Sequence, residues 1–252
     1  MTARVDPTTK VHRTAIIGDD VTIGPGCTLG PYSIIEGRTT IGSDNRIGAH
    51  VLIGGEPQDQ KYVGEDSEVI IGSGNVIREF VTIHRGTAQG GGVTKVGDRN
   101  YLMTYVHIGH DCDIADDIIM SNSTQLAGHV HVFRFAHFGG LAGVHQFARI
   151  GESAMVGAGA MVRYDVPHYA MARGDRANLV GINEVGLRRR GFSPNRISRI
   201  YEFIRILDGG GESAPEGDPD FEKLKRFYRE SKDGVTRYKA SERDTGGRGG
   251  RD

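Results

Sequence analysis

Tryptophan is absent from this 252-residue sequence, and only two cysteines, Cys27 and Cys112, are present. A chain with no tryptophan and 38 glycines favours a turn-rich repeat over a globule packed on large aromatic side chains. The two cysteines occupy equivalent small-residue positions of the repeat described below. We therefore expect buried thiols, and neither a disulfide nor a metal-binding pair.

Long apolar runs and an excess of charge of one sign are also missing. No run reaches the roughly 18 residues that a membrane-spanning helix needs, and the segment MTARVDPTTKVHRTAIIG lacks the apolar centre of a signal peptide. The net charge of -1 argues against nucleic acid as the main partner, because phosphate binding needs a basic excess. These observations predict a cytoplasmic protein with no membrane span.

What the sequence does have is an apolar residue at every sixth position. The series runs through Val5, Val11, Ile17, Ile23, Leu29, Ile35, Ile41, Ile47 and Ile53, resumes at Ile71, Ile77 and Ile83, and continues through Val96, Leu102, Ile108, Ile114, Met120, Leu126, Val132, Phe138, Val144, Ile150, Val156 and Val162. A helix repeats near 3.6 residues and a strand near 2, so a sustained period of six indicates a solenoid. Three such hexads would form one coil of a triangular prism with short parallel strands on its flat sides.

Two polar segments, near 54–68 and 84–95, interrupt this series and predict loops. Loops that interrupt a solenoid generally emerge on one face and often carry the binding function. We expect residues 1–168 to form the β-helix domain and 169–240 a connecting segment and helical domain. Ser193-Pro194 predicts a helix start and FEKLKRFYRES a further helix, which could cap the open end of the solenoid. The tail 241–252 has the composition of a disordered segment.

The side chains best suited to chemistry are five histidines in the second half of the prism or its loop: His84, His107, His110, His129 and His145. One coil is about eighteen residues, so His110 and His129 should share a corner of the prism. A histidine that accepts a proton needs a neutral ring and a neighbour that fixes its tautomer. Asp111 follows His110, but adjacent residues of a strand point to opposite faces, which weakens its expected support. Solvent-facing histidines and a shared metal site are the alternatives.

Several segments identify a family resemblance: QDQKYVGE, IHRGTAQGGGVTKVG, HIGHDCDI, QLAGHVHV, GVHQF and GINEVGLRRRGF. The chain resembles, over about residues 5–208, the acyl carrier protein-dependent UDP-N-acetylglucosamine O-acyltransferases that open lipid A biosynthesis. The glycine-rich segment followed by HIGHDC is specific, because a generic hexapeptide protein has no need of either. The resemblance implies an all-β, left-handed parallel β-helix (hexapeptide solenoid) with a small C-terminal α-helical appendage.

The same resemblance implies an activity and its residues. A homotrimer with sites between neighbouring prisms would move an (R)-3-hydroxyacyl group from acyl carrier protein to the 3-hydroxyl of UDP-N-acetylglucosamine, with no cofactor and no metal. His110 matches the general base, Asp111 its acidic neighbour, and the Gly128 amide the oxyanion donor. The residues that match the substrate pocket are Asp59, Lys61, His84, His107, His129, His145 and Gln146, with Asn183 and Glu184 toward the uridine. Arg189 and Arg190 match basic residues that meet the nucleotide phosphates or the acidic carrier protein.

Departures from the family pattern leave some questions open. Ala158 replaces a glycine at the floor of the acyl groove and predicts a somewhat shorter preferred chain. Glu184 follows Asn183 directly, whereas the family places one residue between them, so the uridine contact is open. The aromatics of VFRFAHFGG have no functional account. A transferase for a 3-amino UDP-sugar or a coenzyme A thioester, a non-catalytic scaffold and a metal-binding hexapeptide protein remain alternatives.

Overall fold

The computed structural model describes residues 2–211 and 217–238, and its strands form three sheets that wrap into a coil. The first sheet has eight strands: β1 (Arg4–Val5), β4 (Val21–Ile23), β7 (Arg38–Ile41), β10 (Glu68–Ile71), β13 (Val93–Val96), β16 (Asp113–Ile114), β19 (His131–Val132) and β22 (Arg149–Ile150). The second has ten: β2 (Lys10–Val11), β5 (Thr28–Leu29), β8 (Arg46–Ile47), β11 (Val76–Ile77), β14 (Tyr101–Leu102), β17 (Ile119–Met120), β20 (His137–Phe138), β23 (Met155–Val156), β25 (Ala170–Arg173) and β26 (Asn178–Ile182). The third has eight: β3 (Ile16–Ile17), β6 (Ile34–Ile35), β9 (Leu52–Gly55), β12 (Thr82–His84), β15 (His107–Ile108), β18 (Gln125–Leu126), β21 (Gly143–Val144) and β24 (Met161–Val162).

The six-residue series forms the core of this coil. Ile114 pairs with Val132 and Val132 with Ile150 in parallel register, so equivalent residues of successive coils stack. Every member of the series from Ile23 to Val162 is buried. Val5, Val11 and Ile17 are more exposed, because the first coil has a neighbour on one side only. The predicted solenoid core is therefore confirmed.

The corners of the prism need a backbone turn in the left-handed region. Asp111, His129 and Phe147 hold successive turns of one corner at φ of 60°, 62° and 67°. Left-handed φ is uncommon outside glycine, and a short polar side chain such as aspartate tolerates it best. The corner aligns these three residues one above another in adjacent coils.

Both predicted loops leave the prism at this same corner. The segment 56–67 joins β9 to β10, and 85–92 joins β12 to β13, so each leads from the third sheet to the first. We call this corner the third–first edge; it comprises 109–112, 127–130 and 145–148 in three successive coils. The expectation that the interruptions share one face is confirmed.

The chain beyond the last coil adds a hairpin and three helices. The antiparallel pair β25–β26 extends the second sheet past residue 168, a hairpin that sequence reasoning missed. The helices are α1 (Glu184–Arg189), α2 (Pro194–Asp208) and α3 (Pro219–Arg229). The Ser193 side chain accepts the Arg196 amide hydrogen, which caps α2 where the Ser-Pro pair predicts its start. The predicted disordered tail, 241–252, lies outside the described residues, and the division of the chain at 168 stays a prediction.

Two smaller expectations concern cysteines and membrane spans. Cys27 and Cys112 are buried free thiols, as expected. Burial raises the pKa of Cys112 to about 12, which keeps it protonated and inert. Within 2–211 and 217–238, no helix combines the length and apolar character required to cross a membrane.

Candidate active site

His110 and Asp111 form a hydrogen-bonded pair at the third–first edge. The His110 Nδ1 lies 2.8 Å from Asp111 Oδ2, and the Asp111 side chain has no exposed surface. We expected little support from Asp111, because adjacent residues of a strand point to opposite faces. That expectation was wrong, because Asp111 occupies a left-handed turn and not a strand. A carboxylate at Nδ1 fixes the tautomer in which Nε2 is free to accept a proton.

Gly128 and His129, one coil further along, face the same imidazole. A Cβ added to Gly128 would lie 2.5 Å from His110 Cε1 and 2.6 Å from Nε2, so only glycine leaves room for the ring. Within the described chain, no intramolecular partner takes up the Gly128 amide N–H. The rings of His110 and His129 meet edge to face at 5.1 Å. Burial lowers the pKa of His129, partly offset by the negative charge of Asp111.

His107 and His84 lie on the third sheet beside this edge. Burial, with smaller effects from the charges of His84 and His110, lowers the pKa of His107 to about 4. The His107 ring is therefore neutral near pH 7, with Nδ1 2.8 Å from the Thr82 hydroxyl. His84 is buried, and its Nδ1 lies 2.5 Å from the Glu56 carbonyl oxygen, which ties this strand to the first loop.

The two loops contact each other over the edge. The Arg85 guanidinium donates to the Tyr62 hydroxyl at 3.1 Å, and the Ala88 amide donates to Glu65 Oε1 at 3.3 Å. Asp59 turns the first loop by accepting the Lys61 amide hydrogen at 2.9 Å. The Asp59 charge also reaches His129 and slightly opposes the lowering of its pKa by burial. The first loop therefore brings Asp59 within electrostatic range of His129, and it carries the exposed Lys61 two residues further on.

A cavity of about 960 Å³ opens on the third sheet next to this cluster. Its lining is mainly apolar, and His107, His145 and Met161 contribute to it from the prism. Residues 163–164, 175–178 and 235–237 close its far side. Gln146 is exposed beside His145 at the edge. Ala158 lies at the corner between the second and third sheets, where its backbone packs against Gly139, and it does not line this cavity within one chain.

The predicted nucleotide-binding residues lie at a different corner from His110. Asn183 is buried, caps α1 by accepting the Gly186 amide hydrogen, and donates to the Ser153 carbonyl between the first and second sheets. Glu184 is exposed and pairs with Arg188 at 2.5 Å. Arg189 is exposed, and its charge reaches His137 on the second sheet. One chain therefore does not bring these residues to the His110 edge.

Arg190 has a structural role that the sequence did not reveal. Its guanidinium pairs with Glu152 at 3.1 Å and stacks 3.8 Å above the Phe135 ring. Phe133 packs against His168 and Phe227. The aromatics of VFRFAHFGG thus fasten the C-terminal part to the last coils. Three phenylalanines within six residues, at 133, 135 and 138, were the signal in the sequence, but nothing in it identified Arg190 as a partner.

His110, Asp111 and His129 each also offer one atom that could bind a metal ion, and these three atoms lie within 4.8 Å of one another. Asp111 Oδ2 already receives hydrogen bonds from His110 and from the Thr87 hydroxyl, whereas His129 Nε2 is 3.7 Å away. These contacts orient the His110 imidazole. A metal ion bound here would have to replace the hydrogen bonds that Asp111 accepts from His110 and Thr87.

A coil of hexapeptide turns with a His–Asp pair beside a backbone amide is the arrangement expected of a hexapeptide-repeat acyltransferase. The family model "Bacterial transferase hexapeptide (six repeats)" matches residues 22–55. The model "Udp N-acetylglucosamine O-acyltransferase; Domain 2" matches residues 165–236, which hold the hairpin and the helices.

Known relatives narrow the class to one family. Acyl-[acyl-carrier-protein]--UDP-N-acetylglucosamine O-acyltransferases from Burkholderia orbicola and Paraburkholderia phymatum are 47% and 45% identical over 184 and 233 residues, covering 73% and 85% of this chain and 70% and 89% of theirs. The solved UDP-N-acetylglucosamine acyltransferase from Campylobacter jejuni is 31% identical with a TM-score of 0.75, covering 94% of this chain and all of its own. The chain belongs to the acyl-[acyl-carrier-protein]--UDP-N-acetylglucosamine O-acyltransferase family. Structures of this family are left-handed β-helices, so the predicted fold class is confirmed.

Proposed function

We propose that this chain transfers an (R)-3-hydroxyacyl group from acyl carrier protein to the 3-hydroxyl of UDP-N-acetylglucosamine, the first step of lipid A biosynthesis. The observation that carries the proposal is the buried Asp111 carboxylate on His110 Nδ1, 2.8 Å away, next to the Gly128 amide, which has no hydrogen-bond acceptor among the residues that the structure describes. Family membership supports the substrate class, and this geometry supports the roles proposed for His110, Asp111 and Gly128.

The chemistry follows from these groups. His110 Nε2 takes the proton from the sugar hydroxyl as its oxygen attacks the thioester carbonyl carbon. The Gly128 N–H donates to the oxygen that becomes negative, a contribution of about 3 kcal/mol where such donors have been removed. The C–S bond then breaks, and the protonated His110 returns its proton to the departing thiolate. No step requires a metal or a cofactor.

The surroundings suit the two substrates. His107 is neutral, with its pKa lowered to about 4 by burial, so it can hydrogen-bond a sugar without repelling the positive charge that forms on His110. The apolar cavity of about 960 Å³ begins at His107 and His145 and is a fitting place for the acyl chain. Lys61, on the exposed first loop, offers a cation for the diphosphate.

We propose further that the active form is a homotrimer with each site shared between chains. His110 lies at the third–first edge, whereas Asn183, Glu184 and Arg189 lie toward the second sheet. A neighbouring copy in cyclic symmetry would bring its second-sheet side to this edge. Arg189 would then meet the nucleotide phosphates or the carrier protein, while Arg190 keeps its pairing with Glu152. A cytoplasmic location stays a prediction.

To test this proposal, the purified protein is incubated with UDP-N-acetylglucosamine and with hydroxyacyl carrier proteins whose acyl chains differ in length. The products are then detected by mass spectrometry. We expect transfer with one optimal length, shorter than in relatives with glycine at the Ala158 position. Absence of transfer at every length, with transfer to the 3-amino sugar instead, would replace the proposed acceptor.

His110→Ala should lower kcat by about 100-fold or more, the usual contribution of a general base, without loss of the fold. His131→Ala is the matched control, because His131 also pairs with an aspartate, Asp113 at 3.4 Å, but on the first sheet. Near-normal turnover of His110→Ala would remove His110 from the role of base.

A further inference from the structure

Thr87, in the glycine-rich loop, holds the carboxylate of Asp111 with two hydrogen bonds. Its amide donates to Asp111 Oδ1 at 2.7 Å, and its hydroxyl donates to Oδ2 at 2.7 Å. The Asp111 amide in turn donates to the Thr94 hydroxyl at 2.8 Å, at the other end of the loop. Thr87 is itself buried, with 2% of its surface exposed. Both carboxylate oxygens therefore accept a hydrogen bond from Thr87, and Oδ2 also contacts His110.

The glycines of this loop are what allow it to close over Asp111. A Cβ on Gly90 would lie 2.0 to 2.4 Å from the three carboxylate atoms, and one on Gly86 would lie 2.8 Å from Oδ1. The loop is ordered as a short 3-10 helix, Ala88–Gly90, which the Thr87 hydroxyl caps by accepting the Gly90 amide hydrogen at 3.2 Å. The glycines of this loop therefore permit close packing against the carboxylate.

The Thr87 hydroxyl thus serves two contacts at once. Its oxygen accepts from Gly90, so its single hydrogen points to Asp111 Oδ2, the same oxygen that receives His110 Nδ1–H. An ionised carboxylate accepts such charge-assisted hydrogen bonds strongly. Without the hydroxyl, the carboxylate keeps one amide on Oδ1 and can rotate about that contact. The imidazole would then lose its fixed partner.

We propose that Thr87 is a positioning residue for the acyl transfer, which acts through Asp111 to hold His110 in the Nδ1–H tautomer with Nε2 turned to the substrate. This inference rests on the proposed function for its kinetic readout. The glycine-rich loop is then part of the catalytic support and not a substrate lid, because its contacts are directed inward to Asp111.

The test compares Thr87→Val, which keeps the shape and removes the hydroxyl, with Thr87→Ser, which restores it. Thr87→Val should lower kcat by about 10-fold to 100-fold at nearly unchanged KM, the size of effect expected when a reacting group is misplaced. Thr87→Ser should recover most of the loss. Thr9→Val is the matched control: the Thr9 hydroxyl also donates and accepts, to Gly24 O and from the Cys27 amide, but in the first coil.

A second readout does not depend on acyl transfer. NMR of isotope-labelled histidine, with the His110 signal assigned by its loss in His110→Ala, reports which ring nitrogen carries the hydrogen. We expect Nδ1–H in the wild-type protein and a mixture of tautomers in Thr87→Val. Gly90→Ala keeps the hydroxyl but intrudes on the carboxylate, and it should produce the same mixture. It replaces Thr87→Val if that variant does not fold.

The outcomes separate the two proposals. Wild-type kcat and an unchanged tautomer in Thr87→Val and Gly90→Ala would overturn the role of Thr87. A loss that Thr87→Ser does not recover, or one that appears in KM alone, would also overturn it. A wild-type protein that transfers no acyl group, yet shows the Thr87-dependent tautomer, would contradict the proposed function and leave the positioning role standing.

Discussion

At the scale of single residues, the candidate site depends on the missing side chain of Gly128 as much as on the side chains of His110 and Asp111. Gly128 has no side chain, and the His110 ring occupies the space that a Cβ would need. The ring is held on its other nitrogen by Asp111. The position of the His110 ring is thus set from two sides, by its own coil and by the next one.

Gly128→Ala should displace the His110 ring while leaving the fold intact, because the added Cβ, 2.5 Å from Cε1, meets a side chain and not the backbone. We expect kcat to fall by about 100-fold with a melting temperature near that of the wild type. Steady-state kinetics and thermal unfolding together check this. Gly140→Ala is the control, because its Cβ would meet only the Asn122 carbonyl oxygen, at 3.4 Å. Equal activity of the two variants would contradict the steric argument.

At the scale of elements, the coils are joined inside the prism by a ladder of asparagines. Asn75 Nδ2 donates to Asn45 Oδ1 at 2.9 Å, and Asn75 Oδ1 accepts the Asn100 amide hydrogen at 2.8 Å. All three residues are buried. The ladder ties together the coils on either side of the first loop, at a corner that the loops do not use.

Asn75→Ala should lower the free energy of unfolding by about 1 to 3 kcal/mol, because it leaves the Asn100 amide buried without a partner, whereas Asn45 Oδ1 keeps the hydrogen bond from the backbone amide of residue 75. Urea unfolding measures this. Asn122→Ala, at an exposed corner, should change stability by no more than about 0.5 kcal/mol. A similar small effect at Asn75 would show that the ladder contributes little.

At the scale of the whole molecule, the C-terminal part is fastened to the last coils around a buried neutral histidine. His168 is 3% exposed, and its Nδ1 accepts the Glu152 amide hydrogen at 2.7 Å. Burial, with smaller effects from the charges of Lys223, Arg149, Arg226 and His131, lowers the pKa of His168 to about 3. Protonation would remove the acceptor for the Glu152 amide and place a charge against the Phe227 ring of α3, so it would weaken the attachment of α3 to the prism.

The pH dependence of stability should follow from this residue. Between its ordinary pKa of 6.5 and the folded value of about 3, the unfolded chain binds a proton that the folded chain does not. Stability therefore falls as the pH drops, by about 2 kcal/mol from pH 7 to pH 5 for this group. His168→Asn keeps an acceptor for Glu152 without titrating, so its unfolding free energy should fall less over the same interval. Parallel curves for the two proteins would exclude His168 as the cause.

Mixing two inactive variants tests whether each site of the proposed trimer is shared between chains. His110→Ala and Arg189→Ala should each be nearly inactive, the first in kcat and the second through weaker substrate binding. Mixed trimers formed by refolding the two together should recover about one quarter of wild-type activity, because a quarter of the sites combine His110 of one chain with Arg189 of the next. A mixture no more active than its components would mean that both residues serve the same chain's site.

The local features of the chain were the easiest to predict. Ile114, Val132 and Ile150 were recognised as one core column because a six-residue period survives any detail of the turns. Ser193 was recognised as a helix start because capping is a matter of a few neighbouring atoms. The hairpin β25–β26 was missed because it is specified by pairing with β23, a partner fourteen or more residues away.

By itself, the sequence determined the solenoid, its two loops and the segment HIGHDC, because periodicity and short motifs are written in consecutive residues. Only the tertiary structure decided how the side chains of the candidate site are positioned. The turn that lets Asp111 reach His110 depends on a left-handed corner, and the contact of Thr87 with Asp111 joins residues 24 apart in the chain. The separation of Asn183 and Arg189 from the His110 edge likewise follows from how the coils stack. Such placements depend on which coils become neighbours, and no local pattern encodes that.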